Sequence, residues 1–401
     1  MTPSLRPLDF QPVIYQGQQM YWLRDPLELT DYQIILPPAL AGMLMFFDGQ
    51  RNLDAIHRAF CNYVGDLVDY ELVAEAVARL DEACLLDNDR AWQAQEKQLA
   101  TYRAQPFRPP ALAGHGYAAD PLALAQELAA YGGQTAVNGT ANWQGRALIS
   151  PHIDYGRGGA VYAQVWRAAT TALNEADLIL IFGTDHNGSS GKITLTRLPY
   201  ATPFGVLPTD AALVADLAAA VGDDLFTEEL HHRREHSAEL SAVWAHYLRA
   251  GDLCPVVPIL CGSFHEFVQS GRHPEHDPHL NQFIARLREL TAGRRVLAVA
   301  SVDFAHMGPA FGDQFGLDRA RRAALKESDA RLFAAINEGD HGRFYAEIAQ
   351  VQDQNRICGF SSIYLLLRYL EQTSGQTVAY AHCPADDDNQ SLVSIGGLLL
   401  L

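Results

Sequence analysis

Apolar positions change their spacing along the chain near Ala111. Before that point they recur at helical intervals. Leu53, Ile56 and Phe60 fall on one face of a helix that Asn52 caps. Val73, Val77, Leu80 and Cys84 recur in the same way on a helix that Asp69 caps. Pro37-Pro38 opens an earlier helix running through Phe47, because proline is tolerated in a first turn. Tyr21–Arg24 reads as a short strand and Asp25-Pro26 as a turn. Residues 1–87 therefore predict a small winged-helix-like domain. Residues 88–110 turn polar, contain one short helix and end in Gln105-Pro106-Phe107-Arg108-Pro109-Pro110, which reads as an exposed linker.

From Ala111 onwards, β-like apolar runs alternate with helical patterns. The runs are Arg146–Ser150, Asp177–Phe182, Cys254–Leu260, Arg295–Ala300, Thr377–Ala381 and Ser391–Leu401. The helical patterns are Pro121–Tyr131, Gly159–Leu173, Asp210–Val221, His236–Ala250, Leu280–Ala292 and Phe360–Gln372. Such alternation predicts an α/β domain over residues 111–401, with a mainly parallel or mixed sheet flanked by helices.

Composition narrows the function classes. Lys and Arg total 30 against 47 Asp and Glu, a net charge of −17. A chain of that sign repels a polyanion, which argues against general nucleic-acid binding. No run approaches the roughly 18 apolar residues of a membrane span. Met1–Phe10 lacks the apolar core of a signal peptide. Six cysteines without paired spacing do not make a disulfide framework. The expected setting is the cytoplasm, with reduced thiols.

Candidate chemistry gathers at strand ends. Ser150-Pro151-His152 follows one predicted strand, Gly183-Thr184-Asp185-His186 another, and Ser301-Val302-Asp303-Phe304-Ala305-His306 a third. In open α/β sheets, ligands bind beyond the carboxyl ends of the strands. Arg356-Ile357-Cys358-Gly359 precedes an apolar helix. Imidazoles and a thiolate suit iron, copper or zinc. His231-His232-Arg233-Arg234 reads as a solvated loop. Tyr155-Gly156-Arg157-Gly158-Gly159 lacks a full phosphate-binding pattern and reads as a site of tight packing.

With these motifs in place, the chain resembles the Memo-like proteins. The matching pieces are Ile149–His152, Phe182–His186, Glu235-His236-Ser237-Ala238-Glu239, Val257–Gly262, Ser301–Gly308 and Ile357-Cys358-Gly359, in the family's order. Archaeal and bacterial members include the Memo component, protein B, of the three-part system called AmmeMemoRadiSam. The family is similar in fold to class III extradiol dioxygenases, which use non-haem iron. The resemblance implies a mononuclear iron or copper site, with zinc also compatible, on His152, His186 and Cys358. It implies His306 as an acid–base group, Asp303 as an additional ligand or water-orienting group, and Asp185, His236 and Glu239 as pocket residues. In the dioxygenase relatives a carboxylate stands where this chain has Cys358. The chain also has Asn187 where the family often has a second His, and Ile153 where Ala is common. The implied roles are a metal-dependent oxidoreductase or a metal-binding partner without turnover. The implied partners are a radical SAM protein and an AMMECR-type protein. Residues 1–87 resemble a PqqD-like domain through Trp22–Pro26, Asp48-Gly49 and the Val73–Leu86 stretch, which implies a peptide as a further partner.

Overall fold

In a computed structural model, which describes residues 2–132 and 143–401, the chain divides into two compact units, Met1–Ala104 and Gln105–Leu401. The N-terminal unit begins with β1 (Asp9–Tyr15) and β2 (Gln18–Arg24), which form a hairpin, and β3 (Ile34–Leu36) pairs with β2. Between β1 and β2, Gln16 and Gly17 have φ of 50° and 77°, the left-handed pair that fits the strands' twist. The two expected caps are made. Asn52 accepts from the Ala55 N–H at 3.0 Å and opens helix Leu53–Val64. Asp69 accepts from the Glu71 N–H at 3.0 Å and opens helix Tyr70–Glu82. Ile56, Phe60, Val73 and Leu80 then pack with Leu23, Met43 and Phe47 in one core.

Two expectations in this region need correcting. The Tyr70 helix stops at Glu82, and Cys84 lies beyond it with φ of 56°, so Cys84 is buried but not on a helical face. The helix expected to be short within residues 88–110 is a long one. Asn88 accepts from the N–H groups of Arg90 and Ala91, and helix Asp89–Arg103 fills the segment.

The C-terminal unit is built on an eight-stranded mixed sheet. Its strands are β4 (Ala147–Ser150), β5 (Leu178–Thr184), β6 (Ile193–Leu195), β9 (Val256–Cys261), β10 (Val296–Ser301), β11 (His306–Met307), β12 (Gly375–Pro384) and β13 (Leu392–Leu400). A separate hairpin is formed by β7 (Tyr200–Thr202) and β8 (Gly205–Leu207). The sheet order is β11-β13-β4-β10-β5-β9-β6, with β12 beside β13. The central four, β4, β10, β5 and β9, are parallel, while β6, β11, β12 and β13 pair antiparallel.

Every residue of β4, β5, β9 and β13 is buried, as strands covered on both faces require. On one face Leu180, Ile259 and Ala300 meet the helices Ala211–Val221, Pro278–Thr291 and Phe360–Leu370. On the other, Ile179, Ile181 and Val299 meet Pro121–Ala130, Tyr155–Ala168 and Ser237–Arg249. The result is a helix–sheet–helix sandwich whose parallel strands all end at one edge. At Gly159 an added Cβ would lie 2.3 Å from the Tyr131 ring, which is the tight packing expected of that glycine-rich stretch, here the start of helix Tyr155–Ala168.

The segment Gln105–Pro110, expected to be exposed, is tied down at its centre. Arg108 is fully buried. Its N–H bonds the Pro199 carbonyl at 2.8 Å, and its guanidinium bonds the carbonyls of His232 and Glu235 at 2.8 and 2.7 Å. The same guanidinium pairs with the Glu239 carboxylate.

Candidate metal centre

Three of the four central strands deliver the polar motifs to their shared carboxyl edge. His152 follows β4 by two residues, His186 follows β5 by two, and Asp303 follows β10 by two. Cys358 stands just before helix Phe360–Leu370. Its N–H bonds the Phe304 carbonyl at 3.3 Å, and the Gly359 N–H bonds the Asp303 carbonyl at 2.9 Å. Gly359 is required there, since an added Cβ would come within 2.5 Å of the Val302 side chain.

The geometry frees particular lone pairs. His152 is buried, and its Nδ1–H donates to the Ser301 carbonyl at 3.0 Å. Its Nε2 therefore faces inward and lies 3.1 Å from the Cys358 Sγ. The backbone N–H groups of His152 and Ile153 donate to one oxygen of Asp303 at 3.0 and 3.2 Å, while the other oxygen lies 3.7 Å from His152 Nε2. His186 turns its Nδ1 to the buried carboxylate of Glu235, at 3.0 and 3.1 Å. The His236 ring stacks on the His186 ring, with centroids 4.9 Å apart and planes 14° apart. One donor atom each from His152, His186 and His236 lie within 4.8 Å of one another. Thr184 closes the group, with its hydroxyl 3.7 Å from the Cys358 sulfur.

Charge follows from these contacts. Burial alone pushes the Cys358 thiol up, but His152 and His186 beside it override that and hold it well below the usual thiol range. Burial pushes His152 down, and the Cys358 thiolate and Asp303 more than reverse it, bringing it up to about 9. Burial likewise opposes protonation of His186, yet Glu235 and Cys358 raise it well above the usual value. His236 goes the other way. Burial, with the neighbouring His186 and His152, brings it down to about 4 against the pull of Glu235.

The remaining candidates separate. Asp303 lies in the cluster. His306 is on β11, with its Nδ1–H on the Phe304 carbonyl at 3.1 Å and its ring edge-on to Phe311. Asp185 accepts from His231 at 2.9 Å. Glu239, expected in the pocket, is fully buried and occupied. It holds Arg108, the N–H groups of Ala111 and Leu112 at 2.7 and 2.9 Å, and the Tyr117 hydroxyl. The expected solvated loop at His231 is a short 3-10 helix, Glu229–Arg233. His232 within it is fully buried, with its Nδ1 on the Tyr200 hydroxyl at 2.6 Å and its Nε2–H on the Thr194 carbonyl at 3.1 Å. Sequence reasoning gave no role to Glu235. Its position immediately before His236 was the available signal, since a buried acid beside a histidine needs a partner.

The fold and this edge define a mixed α/β protein with a cysteine–histidine–carboxylate cluster at the strand ends. The chain belongs to the Memo-like protein family, whose match spans residues 108–399. A MEMO1 family protein of Aquifex aeolicus is 27% identical over 323 residues, 80% of each chain. A MEMO1 family protein of Thermus thermophilus is 25% identical over 364 residues, covering 87% of this chain and 99% of its own. Both alignments are longer than the C-terminal unit and so reach into the N-terminal one. A MEMO1 family protein of Thermococcus kodakarensis is 30% identical over 224 residues, 53% of this chain and 70% of its own.

Proposed function

We propose that the chain is a Memo-like metal protein in which His152, His186 and Cys358 hold a single iron or copper ion, with zinc as a third candidate. The donor chemistry fits. Both Nδ1–H groups are committed, to Ser301 and to Glu235, so each Nε2 is the atom that would ligate once an ion displaces its proton. The observation that carries the reading is the 3.1 Å approach of the Cys358 sulfur to His152 Nε2, which puts a thiolate beside a group of three imidazoles. A bound ion of this kind supplies Lewis acidity or electron transfer. His236 adds a neutral imidazole, and Asp303 holds the His152 backbone in place. His306 is the proposed acid–base group. In this reading the protein is a redox enzyme, or a subunit of a modification system working with a radical SAM protein and an AMMECR-type protein in the cytoplasm. Among the described residues, no helix is long and apolar enough to cross a membrane.

The test is metal analysis of protein purified anaerobically without chelator. The expected result is about one transition-metal ion per chain at this centre, lost in the double variant His152→Ala/His186→Ala. Full metal in that variant would remove the assignment.

A second reading, a metal- or peptide-binding partner without turnover, draws on the N-terminal unit, proposed as PqqD-like and winged-helix-like. There an apolar groove of about 380 Å³ runs beside β3, lined by Ile34, Leu36, Leu40, Leu72 and Leu80. Within the described residues β3 pairs only with β2, so its other edge offers backbone groups to an extended peptide. Titration of the full chain with candidate substrate peptides, read by amide chemical-shift changes in Ile34–Leu36, tests this.

A further inference from the structure

The large sheet ends differently at its two sides. Beyond β9 the last strand is β6, three residues long and fully buried. Beyond β13 the last strand is β12, ten residues long, and among the described residues no strand pairs with its outer side. Both faces of β12 are covered. Ala379, Ala381 and Cys383 pack with Ile153 and Val161 on one. On the other, Tyr380 meets Phe333 of helix Arg319–Asn337, with ring centroids 5.4 Å apart. Gln376, Thr377 and Pro384 are still exposed, whereas every residue of β13 is buried. What stays open is the row of backbone N–H and C=O groups that points away from β13.

Long strand edges are normally guarded by charged side chains, a central proline or a bulge. β1 of the N-terminal unit carries Asp9 at its start and Pro12 at its centre. β12 has no Asp, Glu, Lys or Arg in ten residues, in a chain that is 19% charged. Its one proline is the last residue, where no following pair is lost. Its register shift falls between Thr377 and Ala379, which leaves Ala379–Cys383 regular.

Unpaired charge lies instead at the two ends. Just after the strand, Asp387 and Asp388 are exposed, and neither has a cationic partner among the described residues. Just before it, the exposed Arg146 guanidinium donates to the Gln372 carbonyl at 2.8 Å and has no carboxylate partner among the described residues. When two identical strands pair antiparallel about a twofold axis, the end of each lies against the start of the other. Opposite charges at the two ends of one neutral strand are what that symmetry needs. A foreign peptide would need only the backbone row.

We propose that β12 is a homodimer interface, along which two copies of this chain pair antiparallel through Gly375–Pro384 and join their large sheets, with Asp387 and Asp388 of each copy facing Arg146 of the other. The arrangement needs no metal and does not depend on the function proposed above.

The test uses the full chain. Its mass is followed by sedimentation velocity over a concentration series, and amide hydrogen exchange is measured at both ends of the series. The mass of two chains at high concentration is expected, with peptides covering Gly375–Pro384 protected in the dimer and exchanging faster on dilution. Arg146→Glu should weaken the dimer by about ten-fold, because it sets like charges together at both ends of the interface. Asp387→Arg/Asp388→Arg should do the same from an exposed loop, where misfolding is not an issue. Combining all three substitutions should restore the parent's dimer constant, with circular dichroism confirming the fold of each variant. A single-chain mass up to the highest soluble concentration overturns the proposal. So does a dimer in which β12 exchanges no more slowly than in the monomer. A dimer constant unchanged by both charge variants, or not restored by their combination, overturns the antiparallel arrangement.

Discussion

Both carboxylate oxygens of Glu235 face the Nδ1 of His186, at 3.0 and 3.1 Å, and one of them also accepts the His186 backbone N–H at 3.1 Å. The other takes the Ser237 N–H at 2.8 Å. One buried acid thus fixes the ring, its tautomer and the start of helix Ser237–Arg249. These contacts, His186 foremost, override burial and hold the Glu235 carboxyl well below the usual range. Glu235→Gln keeps the shape but weakens the grip. It should reduce metal affinity at the His152–His186–Cys358 centre by about 10–100-fold, the effect typical of losing an orienting partner. Competition with a chromophoric chelator measures this, and an unchanged affinity would show that His186 is oriented by something else.

The Cys358 thiol is poised by two imidazoles rather than by its helix alone. In metal-free protein it should alkylate well before Cys261, whose thiol burial pushes up to about 12. Bound metal should mask it. Mass-spectrometric mapping with and without chelator gives the answer: equal labelling of Cys358 in both states would exclude sulfur ligation. Cys358→Ser should lower metal affinity without unfolding the chain, because a protonated hydroxyl is a weak ligand of similar size.

Much of this architecture could be read from the sequence because its strands are fully buried. Runs such as Leu178–Thr184 have no polar face to confuse them, and the residues after them fall at the sheet edge by topology alone. That topology brings His152, His186 and Asp303 to one edge of the sheet. What could not be read depended on pairing across long separations. Arg108 looked like part of a Pro-rich linker, and only the fold brings it to Glu239, 131 residues away. Glu235 was hidden for the same reason, since its value lies in meeting His186. Helix Arg319–Asn337 escaped because its buried positions, including Leu325, Leu332 and Phe333, are interspersed with arginines and acids that face solvent. Cys84 kept helical spacing after the helix had ended, so periodicity overran the true stop.

The buried Arg108–Glu239 pair sets where the C-terminal unit can be cut. A fragment starting at Gln105 retains Arg108 and should fold. A fragment starting at Ala111 leaves the Glu239 carboxylate buried without its cation. Removing one partner of such a pair costs about 3–5 kcal/mol. The shorter fragment should therefore unfold at clearly lower urea than the longer one, and Arg108→Met in the full chain should show a similar loss. Equal midpoints for the two fragments would mean that Tyr117 and the Ala111 and Leu112 amides suffice.

Asp329 gives a pH dependence with a definite sign. It is fully buried on helix Arg319–Asn337, and its carboxylate accepts the Tyr380 hydroxyl at 2.7 Å. The same phenol oxygen lies 2.6 Å from His382 Nε2. Burial raises the Asp329 carboxyl to about 6, and the hydrogen bond from Tyr380 only partly offsets it. In the unfolded chain an aspartate titrates near about 3.9. Between these values the folded protein holds a proton that the unfolded chain has lost. Its contribution is therefore present below about pH 4 and is lost as pH rises to about 6, by up to about 3 kcal/mol, after which it is level. Asp329→Asn keeps an acceptor for Tyr380 and cannot ionise. Its stability relative to the parent should climb from pH 4 to 6 and then stay constant. Urea unfolding of both proteins at pH 4.5, 5.5 and 7 isolates this group, because the other titrations cancel in the difference. A difference that does not change with pH would mean that Asp329 titrates in the folded protein much as it does in the unfolded chain.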